Sequence, residues 1–230
     1  KLRERKVRDE TLLAYIEGIR IVIEAIQHDA EIEQIIVAES FENAAKRKEI
    51  KDLIQNSGAE IVLVTDQVFK SLSQKDGPQG VSAVVRQSWT AISTINKKLT
   101  GLWVCLWEVA DPGNLGTILR TMDGSGAKGL ILSGNCTDPY DPGAVRASMG
   151  AIFSQSLVRA SLDETLELLD NKKVTVIGTS DSAALYYRDI QYPQNMVLIM
   201  GSERQGIPVE LSRKCSNLVK IPMEGTCDSL

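Results

Sequence analysis

The run Asp111-Pro112-Gly113-Asn114-Leu115-Gly116-Thr117-Ile118-Leu119-Arg120-Thr121 holds residues whose types and spacing could do chemistry. Asp111-Pro112-Gly113 is turn chemistry, because Asp and Gly tolerate special dihedrals and Pro presets one. From Asn114 onward Leu115, Ile118, Leu119 and Met122 recur at three and four, which predicts a helix. Asn114 is expected to cap it by accepting an orphan backbone N–H. Arg120 follows in the second turn. An arginine keeps its proton, so it offers a cation and hydrogen-bond donors rather than a base. Strand, tight turn, polar helix start and lone arginine is how α/β enzymes build a site at the carboxyl end of a strand. A plain strand–helix connection with a solvated arginine fits this run alone equally well.

Two further stretches have the same character. Leu198-Ile199-Met200-Gly201-Ser202-Glu203-Arg204-Gln205-Gly206-Ile207 is an apolar strand running into a Gly-rich turn with an acid, before Pro208 at a helix start. Ile221-Pro222-Met223-Glu224-Gly225-Thr226-Cys227-Asp228-Ser229-Leu230 follows another strand. Glycines after strands let a backbone come close to a ligand. Three such loops from one parallel sheet make a crevice, the default ligand site.

Other chemistries are disfavoured. The single histidine, His28, has no ligand-spaced partner, which argues against His-based triads and His/Cys metal sites. Cys105, Cys136, Cys215 and Cys227 are scattered without a CxxC pair and read as reduced thiols of a cytosolic protein. Gly124-Ser125-Gly126-Ala127-Lys128-Gly129 spells GxGxxG but lies after a helix and before a strand, the reverse of a dinucleotide site, so it reads as a helix end and turn. Asn135-Cys136-Thr137 spells a glycosylation sequon with no other sign of secretion.

The elements that must position these loops follow from periodicity. The 230 residues suit one large domain or two small ones, and 43% hydrophobic with 24% charged residues is the balance of a soluble globular protein with a proper core. No apolar run reaches membrane-spanning length, and the charged start, 1–10, does not read as a signal peptide. The net charge of −4 argues against a uniformly basic surface but leaves room for a local phosphate-binding face. Lys1, Arg3, Arg5, Lys6 and Arg8, then Lys46-Arg47-Lys48 and Lys97-Lys98, are the candidate patches; each by itself reads as a solvated helix face or linker.

In chain order, 11–28 reads as an amphipathic helix through Leu12, Ile16, Ile19, Val22, Ile23 and Ile26, with a break or close approach near Gly18. Strands are expected at 33–38, 61–65 and 81–85, helices at 42–56 and 66–72. A linker, or a linker with one short helix, spans 87–101, with a domain boundary near residue 95. Beyond it strands at 102–109, 129–133, 156–158, 174–179, 197–201 and 217–221 alternate with helices at 114–124, 142–153, 162–172 and 208–214. Ser161 and Glu164 form a capping box on the third helix. Alternating apolar strands and helices predict a parallel sheet, an α/β fold with a small α/β unit before it.

Taken together, N-L-G-x-x-x-R-T, M-G-S-E-x-x-G-I and I-P-M-x-G-x-x-x-S-L, in this order and spacing, resemble the three signature motifs of the SpoU (TrmH-like) RNA ribose methyltransferases of the SPOUT superfamily. Val145-Arg146-Ala147-Ser148-Met149-Gly150-Ala151-Ile152-Phe153 is similar to a family stretch between the first two. Gly18-Ile19-Arg20-Ile21-Val22-Ile23-Glu24-Ala25 and Pro78-Gln79-Gly80-Val81 resemble the substrate-binding domain attached to many members.

The resemblance implies a division into an RNA-binding α/β domain with its linker, 1–95, and a SPOUT methyltransferase domain with a trefoil knot, 96–230. It implies transfer of a methyl group from S-adenosylmethionine to a ribose 2′-OH of RNA, ribosomal RNA before transfer RNA, by a cytoplasmic homodimer packed through the knot. Carried onto this chain, it places the cofactor against Gly201, Ile221 and Leu230, with Thr179, Met200, Met223 and Ser229 as neighbours. Arg120, Asn114 and Glu203 become the catalytic set: Arg120 binds RNA phosphate and the 2′-oxygen, Asn114 positions Arg120 or the ribose, and Glu203 orders the second-motif loop and Asn114. Arg146, Ser148 and Arg20 become substrate-binding residues, with a structural role open for Arg146 and Ser148. Family members continue past Ser-Leu into S-L-N-V-S-x-A and a last helix. This sequence stops at Leu230, so the last knot segment lies outside it, and Arg204 stands where Gly is common. Competing readings are a non-catalytic RNA-binding member of the fold and a nucleotide-dependent oxidoreductase.

Overall fold

Gly18, with φ 118° and ψ 146°, has a backbone that a side-chain-bearing residue rarely adopts, and it separates two elements of different kind. In the computed structural model, which describes residues 1–43, 48–73, 76–96, 99–170 and 174–225, the chain begins with α1 (Arg5–Thr11), β1 (Leu13–Glu17) and α2 (Ile19–Gln27). The single helix expected over 11–28 is therefore corrected to a strand and a helix. Leu12 ends α1 in the left-handed region, and Ala14 and Ile16 are buried in strand alternation. The three-and-four spacing of Leu12, Ile16 and Ile19 is a coincidence that pairing with a neighbouring strand overrides.

There follow β2 (Ile32–Ala38), α3 (Glu39–Glu42), α4 (Lys48–Gln55), β3 (Glu60–Val64), α5 (Asp66–Leu72) and β4 (Val81–Arg86). The strands form one sheet in the order β1-β4-β2-β3; β4 runs antiparallel to both neighbours and β2 parallel to β3. Its buried alternates, Ala14, Ile16, Ala83, Val85, Ile35 and Val37, share the core with Ile21, Val22 and Ala25 of α2. Of the helix expected at 42–56, α4 covers Lys48–Gln55, and 44–47 lie outside the described residues.

The second half contains α6 (Ile92–Asn96), β5 (Leu102–Trp107), α7 (Pro112–Ser125), β6 (Gly129–Ser133), α8 (Pro142–Ser148), a 3-10 turn (Ala151–Phe153), β7 (Ser156–Ala160) and α9 (Leu162–Leu169). It continues with β8 (Thr175–Thr179), β9 (Leu185–Tyr186), β10 (Met196–Met200), α10 (Val209–Ser212) and β11 (Asn217–Lys220). Its sheet has the order β7-β6-β5-β10-β8-β11-β9, with every neighbouring pair parallel. The expected parallel sheet is there. A core of Trp103, Cys105, Ile131, Val158, Val176, Val197 and Ile199 binds it to α9 and α10 through Leu168, Leu169 and Leu211. Ser161 and Glu164 form the capping box, and Ser133 and Thr165 hydroxyls meet at 2.7 Å in the interior. Gly126 turns the chain out of α7, so the GxGxxG spelling is indeed a helix end.

By contacts the chain forms two compact units. The first is Lys1–Ser88 with Pro112–Arg120 and Asp138–Ser154; the second is Trp89–Asp111 with Thr121–Thr137 and Gln155–Leu230. The four-stranded sheet belongs to the first and the seven-stranded sheet to the second. Cys105, Cys136 and Cys215 are free thiols; burial pushes Cys105 and Cys136 upward and Cys215 up to about 11. Cys227, Lys46, Arg47, Lys97 and Lys98 lie outside the described residues. Among the described residues no helix is long and apolar enough to cross a membrane, and no His/Cys/Asp/Glu group could hold a metal ion.

Candidate active site

Helix α7 begins at Pro112, earlier than the sequence suggests, so Asn114 lies inside its first turn rather than capping it. Proline suits that place because its missing N–H is one of the unpaired donors of a helix start. Leu115, Leu119 and Met122 form the buried face, while Asn114, Thr117 and Arg120 are exposed. Those three fall within about a third of the helix circumference at 100° per residue. Arg120 has no ion-pair partner among the described residues.

Gly116 brings a second helix against this one. A Cβ there would stand 2.4 Å from the Ala144 carbonyl oxygen and 2.5 Å from the Ala147 Cβ, so α7 and α8 touch through backbone. The residues missed by sequence reasoning are here. Gly116 was legible only as part of the motif, yet the close helix crossing demands it. Asp141 caps α8 by accepting from Gly143 N at 2.8 Å, a role that Asp before Pro142 could have signalled. On α8, Arg146 is exposed, without an ion-pair partner among the described residues. Ser148 is buried; its hydroxyl donates to Val145 O at 2.8 Å and accepts from Gly150 N at 3.3 Å. It serves the turn, the structural one of its two readings. Arg20 is exposed on α2 and lies 3.7 Å from Glu24, one turn on.

The second unit holds the other candidates. β10, β8 and β11 are adjacent and parallel, and they end at Met200, Thr179 and Lys220. Met200, Gly201, Thr179 and Ile221 therefore gather at one carboxyl edge, where open parallel sheets bind ligands. Thr179 Oγ1 donates to Ile199 O across that edge. Beyond β10 the chain folds back on itself: Gly206 N donates to Ser202 O at 2.9 Å, and Gln205 N to Ser202 Oγ at 3.2 Å. A Cβ on Gly201 would stand 2.0 Å from the Gly206 carbonyl carbon, so only glycine fits the fold-back. Ile221 is 53% and Met223 42% exposed, large apolar side chains left at a strand edge. Glu203 is exposed on the loop. Ser229 and Leu230 lie outside the described residues.

Residues 101–230 match the model of the SpoU rRNA methylase family. The chain belongs to that family. Residues 1–83 match an MRM3-like substrate binding domain. Among curated relatives, a 23S rRNA (guanosine(2553)-2′-O)-methyltransferase of Bacillus subtilis is 27% identical over 100% of this chain and 88% of its own. A 23S rRNA (uridine(2479)-2′-O)-methyltransferase of Streptomyces viridochromogenes is 27% identical over 93% of this chain and 76% of its own. The structure of an AdoMet-bound rRNA methyltransferase from Sinorhizobium meliloti superposes with a TM-score of 0.87 at 33% identity, over 100% of this chain and 85% of that one. The chain joins a parallel-sheet domain to an N-terminal substrate-binding domain.

Proposed function

We propose that this SpoU methylase transfers a methyl group from S-adenosylmethionine to a ribose 2′-OH of ribosomal RNA. The observation that carries the reading is the exposed polar face of α7, which presents Arg120 to solvent without an ion-pair partner among the described residues. The names of the Bacillus subtilis and Streptomyces viridochromogenes relatives, both 23S rRNA 2′-O-methyltransferases, support the RNA and the atom modified.

The carboxyl edge of β10, β8 and β11 suits the cofactor. Gly201 lets the 201–206 loop close against its own backbone beside that edge, and the exposed Ile221 and Met223 offer apolar surface for an adenine ring. Gly201, Ile221, Met200, Thr179 and Met223 would hold it, joined by Ser229 and Leu230. S-adenosylmethionine supplies an activated methyl on a positively charged sulfur, with a neutral thioether as leaving group. The protein has to align the attacking oxygen and ease loss of its proton. Arg120 binds the RNA phosphate and the 2′-oxygen, and either polarises the hydroxyl, whose proton leaves to water, or relays that proton onward to water; as a permanent cation it cannot act as a simple base. Asn114 positions Arg120 or the ribose, Glu203 orders its loop, and Arg146 and Arg20 take phosphate contacts. The division 1–95 and 96–230, a trefoil knot at the C-terminal end, a homodimer packed through it and a cytoplasmic location complete the proposal. Free thiols at Cys105, Cys136 and Cys215 agree with a reducing compartment.

The test is tritiated methyl transfer to total RNA by the wild type and Arg120→Ala. Incorporation that depends on Arg120 and vanishes on 2′-deoxy substrate is expected, with a loss of about a hundredfold or more. An Arg120→Ala protein with wild-type single-turnover rate would sink the assignment. Light scattering of the same preparation tests the dimer.

A further inference from the structure

Helix α8 is gripped at its start, along its side and past its end by α1, β1 and α2, all within the first compact unit. At the start, Arg8 Nε donates to Asp138 Oδ2 at 2.7 Å, with both side chains 2% exposed. The same guanidinium donates to the carbonyls of Leu2 and Arg3 at 3.0 and 2.8 Å and lies 3.6 Å from Asp141, the α8 cap. Asp138 Oδ1 in turn accepts from Tyr140 N at 2.9 Å, and Gln87 Nε2 donates to Arg8 O at 3.0 Å. Along the side, Tyr15 and Glu17 of β1 line a narrow cleft with Val145 and Arg146. Past the end, the Glu24 side chain lies 2.6 Å from where a Cβ on Gly150 would be. The other side of α8 meets α7 at Gly116, and Arg120 stands one turn beyond that contact.

Arg8 thus departs from its sequence reading as part of a solvated basic face. Arg5 and Lys6 beside it form pairs with Asp9 and Glu10, whereas Arg8 is buried and engaged on every side. A buried ion pair is weak evidence for stability, because desolvation offsets the attraction; in some proteins such a pair instead specifies one geometry. We propose that Arg8 is a positioning residue for Arg120: by locking Asp138 and Asp141 it sets the seat of α8, and through the Gly116 contact it sets α7. This rests on the reading of Arg120 as the group that meets the ribose.

The test uses the full chain with Arg8→Met and, to avoid stranding a buried carboxylate, Arg8→Met/Asp138→Asn. The asparagine of the double variant keeps an acceptor for Tyr140 N while removing the charge. Hydrogen exchange at the amides of Leu115 to Arg120 and of α8 is expected to quicken, with β8 and β10 unchanged. Single-turnover methylation, counted per S-adenosylmethionine-binding molecule, is expected to fall about tenfold at unchanged cofactor affinity, because a small misplacement of a catalytic group is costly. Arg8→Lys should restore part of it, since lysine keeps the charge but lacks the planar fork. A purely structural role would lower the number of binding molecules and leave the rate of each intact, and that result overturns the proposal. So does unaltered exchange in α7. Should the wild type transfer no methyl group to any RNA, the enzymatic reading falls, while the exchange experiment still decides whether Arg8 seats α7.

Discussion

The two compact units offer their candidate residues in opposite ways. In the first, Asn114, Arg120 and Arg146 are side chains standing on helix surfaces, and the chemistry is in atoms that project. In the second, Gly201, Thr179 and Ile221 are strand-end positions, and the feature that matters at Gly201 is the absence of a side chain. A site made of projecting groups is damaged by removing atoms. A site made of bare backbone is damaged by adding them. Substitutions in the second unit should therefore be read first in cofactor affinity, and those in the first unit in the rate of methylation.

The largest effect is expected at Gly201→Ala. Its new Cβ meets backbone rather than a yielding side chain, so the 201–206 fold-back must open at a cost of about 3 kcal/mol. Calorimetry should find S-adenosylmethionine affinity lowered about a hundredfold, with circular dichroism unchanged; wild-type affinity would place the cofactor elsewhere. Next comes Gly116→Ala in the first unit, where the added methyl wedges α7 from α8. Methylation should slow by about tenfold or more while cofactor affinity holds within about twofold. A loss of cofactor affinity there would break the contrast between the units.

A smaller effect is expected from Ser161→Ala, which removes the cap of α9 in the second unit. It should cost about 1 kcal/mol in urea denaturation and leave the methylation rate of the folded enzyme unchanged. The smallest concerns pH. Hydrogen bonds from the Ser161 backbone and hydroxyl hold the Glu164 carboxylate below its ordinary value. A depressed folded value means the stabilisation is complete above the unfolded value and fades as pH falls through the folded one. The stability difference between wild type and Glu164→Gln should therefore shrink on acidification below about pH 4. A difference that grows there would overturn the assignment.

Legibility in the sequence followed the range of the interactions. The six strands expected after residue 95 were all found, because each is a short apolar run bounded by turn residues. Beyond residue 95, among the described residues, the two-residue β9 went unseen, being too short to carry a period. The Ser161–Glu164 box and the Gly126 helix end were equally plain, since both are made within a few residues. Reading failed at 11–28, where apolar residues satisfied two periods at once and only the partner strand β4 decided between them. It failed again at Asn114, because α7 starts two residues earlier on Pro112. The candidate site was legible as motifs, yet the helix crossing at Gly116 and the bonds that hold Ser148 inward were not.

What the sequence alone determined is the parallel α/β layout, the smaller unit before it, and the three glycine-bearing loops that mark the family. Periodicity, turn chemistry and glycine are properties of a few neighbouring residues, so they can be read without a fold. What only the tertiary structure decided is the fate of individual side chains. Arg8 looks like any cation of a basic run, and it is buried because Asp138, 130 residues away, meets it. Burial and pairing depend on which distant groups the fold brings within a few ångströms, and no local pattern encodes that.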